Sequence, residues 1–351
     1  MSRQALLSVY DKLAALLEKL PGSLQEPVLR ELEPIKEIFL RQRAPRVCVF
    51  GENAIELPAL INALAGRAVL HAPILRGPWT PVQGSGTVDW ADLRGSGSLS
   101  GGPADIYLLV ATSSFSASDA HRTAEVLAAA TPREGGGAAG LAVLTLGDAG
   151  DNARVLSALA ETQASGAVLF STHLPHSGLD HGFTTVSRSA LGDRLCEYIP
   201  EESQLEMARF FSARGAQARL AGTVLKSFGA VAGIIGVQPI PLADFPILLT
   251  LQMFMVALII HVSGREFSLR LAGEFAASLG VGFGAGLVFR ETARAAVKIL
   301  PVWGHMISGG VAGAGTYALG RAAIAYFIEG KRVLRLSHSR KLRKPLPSPG
   351  P

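Results

Sequence analysis

Four apolar segments, at residues 222–237, 245–262, 276–289 and 299–320, crowd the C-terminal part of the chain, and three of them are rich in glycine. Phe245–Val262 contains Thr250 and Gln252 but no acidic or strongly basic side chain. As a helix those residues span about 27 Å, just under the roughly 30 Å hydrocarbon core of a bilayer. Segment 299–320 is long enough to cross but is softened by His305, Ser308 and its glycines. The other two are too short to cross alone without thinning the bilayer or recruiting partners. Glycines recur four apart at Gly229/Gly233, Gly280/Gly284, Gly282/Gly286 and Gly309/Gly313. In an aqueous helix each costs about 1 kcal/mol relative to alanine, whereas in lipid the spacing lets helix backbones approach closely. Only 17% of the 351 residues are charged, against about 25% in an ordinary soluble protein. That excludes a disordered chain and favours a membrane-associated helical domain over a tightly packed soluble bundle.

The remaining charge is unevenly placed. Seven basic residues follow Gly330 (Lys331, Arg332, Arg335, Arg340, Lys341, Arg343 and Lys344), and they outweigh the net charge of +5, so the first 330 residues are slightly acidic. A basic tail after apolar segments reads as a cytoplasmic anchor, each residue adding about 1 kcal/mol near an anionic leaflet. No interleaving of basic and aromatic residues points to nucleic acid. Asp11 and Glu18 interrupt the first segment, so no secretory signal is expected, and the bulk of the protein is expected at the cytoplasmic face of a membrane. Residues 3–20 read as an amphipathic helix carrying Leu6, Tyr10, Leu13, Leu17 and Leu20. A second runs to about Arg43 through Leu24, Val28, Leu32, Ile35 and Phe39, with a break or kink expected at Pro34. Cys48 and Cys196 have neither disulfide-framework nor zinc spacing, and His121, His173, His176 and His181 form no metal-ligand pattern, so no metal is expected.

Between Arg46 and Ile199 the pattern alternates. Val47–Phe50, Ile106–Ala111, Leu141–Leu146 and Val168–Phe170 are short apolar runs suited to buried parallel strands, with helical stretches between or after them. Residues 84–102 and the Gly135-Gly136-Gly137 tract read as loops. Strand alternating with helix predicts a doubly wound, mostly parallel α/β sheet.

Arg46-Val-Cys-Val-Phe-Gly51 followed by Leu60-Ile-Asn-Ala-Leu-Ala-Gly66 resembles the start of an Era/TrmE-like GTPase domain. In that family a strand enters a phosphate-binding loop, G-x-x-x-x-G-K-[ST], and then such a helix. Later landmarks follow in family order over residues 46–199. Thr80 lies at the switch I position, and Asp92-Leu93-Arg94-Gly95 fits D-x-x-G. Thr145-Leu146-Gly147-Asp148 stands for [NT]-K-x-D, and Ser171 for the last base-contacting loop. The loop itself is degenerate. Only Gly51 survives: Glu56 replaces the second glycine, Leu57 the lysine and Pro58 the magnesium-binding hydroxyl. A phosphate loop needs closing backbone N–H groups, a cation and a metal ligand, so an acid, an aliphatic and an imino acid oppose anion binding together. The resemblance then implies a GTPase fold without catalysis, no cofactor, and a site closed by the Glu56 carboxylate at the helix N-terminus. GTP with magnesium is the alternative, supported by the retained Thr80, Asp92, Gly95 and Asp148, which read otherwise as loop caps and a turn glycine.

The C-terminal part is similar to the uncharacterised domain of YcjF-type inner-membrane proteins, through Gln238-Pro-Ile-Pro-Leu-Ala-Asp244, Gln252-Met253, Pro301-Val-Trp-Gly304 and Gly315–Gly320. Asp244 is expected to cap the following helix, with Pro246 in its first turn. The combined expectation is helices over 1–44, a degenerate GTPase-like domain over 45–200, a helical membrane-associated domain over 201–332 and a basic tail over 333–351. Such a chain would act as a pseudo-GTPase scaffold whose partners are lipid and either itself or an active GTPase relative. A divergent working GTPase and a channel- or pore-former are the two alternatives.

Overall fold

The computed structural model describes residues 20–52, 56–72, 79–94, 102–129, 140–162, 167–174, 185–237, 244–279 and 304–331. Its sheet comprises β1 (Arg46–Gly51), β2 (Thr80–Gln83), β3 (Thr87–Asp92), β4 (Ile106–Thr112), β5 (Leu141–Leu146) and β6 (Val168–Leu174). The strand order is β2-β3-β1-β4-β5-β6, every neighbouring pair parallel except β2 with β3. The four strands expected from apolar runs are present. The β2–β3 hairpin is not among those expectations, and β3 lies inside the stretch read as loop. Its Thr-Val-Asp-Trp-Ala-Asp sequence has the β-branched and aromatic side chains that suit a strand, but the surrounding Gly and Ser masked it. Pro81 is tolerated because β2 is an edge strand.

Side chains alternate across the parallel strands. Val47 and Val49, with Leu108, Val110 and Leu144, face one core, which holds α2 (Leu57–Ala65) and α5 (Thr185–Tyr198). Cys48 and Phe50, with Tyr107, Leu109 and Val143, face the other, covered by α3 (Ala117–Ala128) and α4 (Ala149–Ala160). Burial on both faces is why these strands read as continuous apolar runs.

A third core belongs to helices. It joins α1 (Gly22–Leu40), α7 (Arg214–Gly236), α8 (Asp244–Val262), α9 (Leu269–Ser278) and α10 (Gly304–Phe327). α1 buries Val28, Leu32, Ile35 and Phe39 on this core and runs unbroken through Pro27 and Pro34, so of the break or kink expected at Pro34 the break is absent. Residues 1–19, where the first helix was expected, lie outside the described residues. α8 is buried on all sides over its last turns, from Phe254 to Val262, which explains its lack of a polar face. α7 is long and apolar enough to cross a membrane by length and composition, with 44% of its most apolar window buried. Of segment 276–289 the described part is the end of α9.

The sheet and the helical core share a seam. α6 (Glu201–Phe210) and the first turn of α7 bring Met207, Phe210, Phe211, Ala213 and Ala216 into the core beneath the sheet. Phe210 packs against the fully buried Trp90 of β3, ring centroids 6.1 Å apart. A boundary at residue 200 therefore runs through packed side chains. Arg43, in the link from α1 to β1, donates from both Nη atoms to the Asp105 carboxylate at 2.7 and 2.8 Å. That pairing, with Glu202 nearby, strengthens the hold of its guanidinium on the proton.

Candidate functional site

The helices after β1 and β4 pack on opposite faces, so a crevice opens between the carboxyl ends of these neighbouring strands. Doubly wound sheets bind ligands at such a reversal of strand order. Here the crevice is bridged from within. Gly51 ends β1 at φ +102°, and a Cβ there would lie 2.3 Å from the Val110 carbonyl oxygen, so only glycine lets β1 close on β4. The next residue, Glu52, donates its N–H to Val110 O at 2.9 Å. Its carboxylate accepts the Thr112 N–H at 2.5 Å and the Ser114 hydroxyl at 2.7 Å. The Thr112 and Ser114 hydroxyls are themselves 2.6 Å apart. One acidic side chain thus occupies the donors at the end of β4.

Glu56 has a smaller part than expected. It precedes α2, its carbonyl accepts the Leu60 N–H, and its exposed side chain makes no capping hydrogen bond. Leu57 is buried in the sheet's core and Pro58 sits in the first turn of α2. A carboxylate does fill the crevice, but it is that of Glu52. The signal was an acid directly after Gly51, at a position that is variable in the phosphate-loop pattern.

Asp92 closes β3 beside Val49 of β1. Its Oδ1 accepts from the Arg94 backbone N–H at 3.0 Å and from Nε at 2.9 Å, and Oδ2 accepts from Nη2 at 3.0 Å. Both residues are buried. A carboxylate held by a guanidinium two residues away is electrostatically satisfied without a metal ion. Below it Cys48 is fully buried. Desolvation, with the Asp92 charge, pushes its thiol up to about 12, and desolvation does the same to Cys196, so both stay neutral and unreactive.

Thr145 of β5 and Ser171 of β6 are linked by a residue that sequence reasoning missed. Buried Thr145 donates its hydroxyl proton to Asn152 Oδ1 at 3.0 Å, and Asn152 Nδ2 donates to Ser171 Oγ at 3.4 Å. Asp148 is the N-cap of α4. It accepts the Asp151 N–H at 2.9 Å, while Asp151 accepts the Asp148 N–H at 3.0 Å and pairs with Arg154. This reciprocal capping box uses the carboxylate structurally. Thr80 opens edge strand β2 opposite Trp90. Gly95 lies outside the described residues. Among the described residues no three or more His, Cys, Asp and Glu side chains are grouped to hold a metal ion.

In the helical core, Gln252 Nε2 donates to the buried Thr316 Oγ1 at 3.0 Å, tying α8 to α10. Gly313 of α10 rests on α7 at Gly229 and Gly233. Gly309 is also in α10, and Asp244 is the first residue of α8. The side chain of Asp244, together with Gly280 and Gly284, lies outside the described residues.

No protein-family model matches the chain. A partial homologue is "Magnetosome membrane protein 22" of Magnetospirillum gryphiswaldense (strain DSM 6361 / JCM 21280 / NBRC 15271 / MSR-1), 29% identical over 125 residues. The matched region covers 34% of this chain and 63% of that protein, under two thirds of the relative's length.

Proposed function

We propose that this chain is a membrane-associated pseudo-GTPase, a GTPase-like α/β unit that has exchanged phosphate binding for a protein-interaction role. The observation that carries the reading is the Glu52 carboxylate on the Thr112 N–H and Ser114 hydroxyl. It fills the switch-point crevice, where a nucleotide's phosphates would need free donors and a cation. Burial of Leu57, pairing of Asp92 with Arg94, and the use of Asp148 as a helix cap point the same way. Phosphoryl transfer is driven by positioning and charge stabilisation, and each position that would supply these has another occupation. The Era/TrmE-like order of landmarks and the mixed, mostly parallel sheet support the fold assignment. Membrane association is supported by the helical core similar to the YcjF-type domain, by the length and composition of α7, and by the partial homologue's name. The GTPase-like unit would then face the cytoplasm on an inner membrane. There it would meet lipid and a second copy of itself or an active GTPase relative through the former nucleotide face.

The test is equilibrium binding of a fluorescent guanine nucleotide, with magnesium, to the full chain. The expected result is no saturable binding up to millimolar nucleotide. Micromolar binding weakened by Asp148→Ala would establish the divergent-GTPase alternative instead. Flotation with vesicles containing anionic lipid checks the membrane half: the full chain is expected to float, and recovery in the soluble fraction would refute it.

A further inference from the structure

A buried polar chain crosses the seam between sheet and helical core. At the turn of the β2–β3 hairpin, the Thr87 N–H donates to Glu206 Oε2 of α6 at 2.6 Å. Glu206 Oε1 accepts from Arg209 Nη1 at 3.3 Å, and the same Nη1 donates to His261 Nε2 in the last turn of α8 at 3.0 Å. Glu206, Arg209 and His261 are each at least nine-tenths buried as whole residues. The turn is pressed onto α6: a Cβ on Gly86 would lie 2.1 Å from the Glu206 carbonyl oxygen. Gly264, just beyond α8, packs on Ser85 from the other side.

Stability alone does not call for this arrangement. A buried ion pair is often matched or bettered by apolar residues of similar volume. The aromatic neighbours Trp90, Phe210 and Phe39, the last 6.2 Å from the His261 ring, show that the surroundings suit apolar groups. Arg209 Nε is buried without a hydrogen-bond partner. Arg209 and Glu206 also line a cavity of about 290 Å³ with Gln42, Arg43, Ser85 and Thr87, so the guanidinium has an unused donor and space beside it. The hairpin reaches from this turn to Asp92 at the opposite end of the sheet, where Asp92 and Arg94 adjoin the crevice bridged by Glu52.

We infer that Glu206, Arg209 and His261 form a latch through which the helical core and the crevice end of the sheet set one another's conformation, with the β2–β3 hairpin as the connecting rod. When α8 shifts, Arg209 loses its imidazole acceptor and turns into the cavity. Glu206 then loosens its hold on Thr87, and the freed hairpin carries the change to Asp92 and Arg94. The coupling runs both ways, as any equilibrium linkage must. It requires no nucleotide and does not rest on the pseudo-GTPase reading.

Hydrogen–deuterium exchange on the full chain tests it, with rates in residues 84–94 and 256–264 normalised to β4 amides, which report global opening. His261→Phe keeps the bulk and removes the acceptor, and is expected to raise normalised exchange across 84–94 at least tenfold. Gly86→Ala, which lifts the turn off α6, is expected to raise it across 256–264. Val28→Ala damages the same helical core from α1, a helix that carries no latch residue, and is expected to leave 84–94 within twofold of the unmodified chain. If His261→Phe does not fold, Arg209→Lys, which keeps the charge but not the fork, gives the same reading. Unchanged exchange in 84–94 after breaking the latch, or an equal rise with Val28→Ala, overturns the proposal.

Discussion

Gly313 of α10 lies against Gly229 of α7 so closely that a Cβ on residue 313 would stand 3.2 Å from the Gly229 carbonyl oxygen and 3.5 Å from the Gly233 Cα. The relationship is one-sided, since a Cβ on Gly229 itself meets nothing within 4 Å. Gly313→Val should therefore force the helices apart and cost about 1–3 kcal/mol. Gly229→Ala should be neutral or stabilise by up to about 1 kcal/mol through helix propensity. Thermal unfolding of the two variants under one solvent condition checks the asymmetry. Equal losses would mean that both glycines serve the contact.

The crevice end yields a second expectation. Glu52→Ala frees the Thr112 N–H and Ser114 hydroxyl and should cost about 1–2 kcal/mol in denaturant unfolding. By itself it should not confer nucleotide binding, because Leu57 and Pro58 offer neither a cation nor a metal-binding hydroxyl at the start of α2. The combined Glu52→Ala/Glu56→Gly/Leu57→Lys/Pro58→Ser chain is the one in which guanine-nucleotide binding should emerge.

Asp92 and Arg94 form a buried pair, so breaking it is costlier than removing it. Arg94→Met strands the Asp92 carboxylate and should destabilise by about 3–5 kcal/mol. The double change Asp92→Leu/Arg94→Met should cost less than Arg94→Met alone. A double-mutant cycle by chemical denaturation measures the difference, and additive losses would deny the coupling.

His261 gives a pH dependence with a definite sign. Burial, and then the Arg209 charge, push its imidazole down to about 3 from an ordinary value near 6.5. The unfolded chain therefore takes up a proton near pH 6.5 that the folded chain refuses until about pH 3. Stability attributable to this residue is complete above pH 6.5 and falls as the pH drops through that window, by up to about 1.4 kcal/mol per unit. The unmodified chain should lose stability faster than His261→Phe between pH 6 and pH 4, as read by unfolding midpoints across that range. Parallel profiles would contradict the buried neutral imidazole.

The seam predicts how the chain can be cut. A fragment of residues 44–200 lacks Met207, Phe210 and Phe211 and bares the Trp90 face of the sheet. It should bind an apolar fluorescent dye and melt well below a fragment of residues 44–218. Coincident melting would show that α6 is dispensable to the sheet.

The sequence alone determined the elements whose burial leaves a simple pattern. Strands covered on both faces read as the apolar runs 47–50, 106–111 and 141–146, and the α1 stripe read as Val28, Leu32, Ile35 and Phe39. It also showed that Glu56, Leu57 and Pro58 do not match the phosphate-binding pattern, because side-chain chemistry is visible without coordinates. Tertiary structure decided the rest. The β2–β3 hairpin gains its stability from pairing with β1 and from Phe210, which lies far along the chain. Whether Glu52 or Glu56 closes the crevice depends on where β4 places the Thr112 N–H and the Ser114 hydroxyl. Glu206, Arg209 and His261 are ordinary polar residues in the sequence. Only packing a sheet on a helical bundle strips their water and leaves them one another as partners.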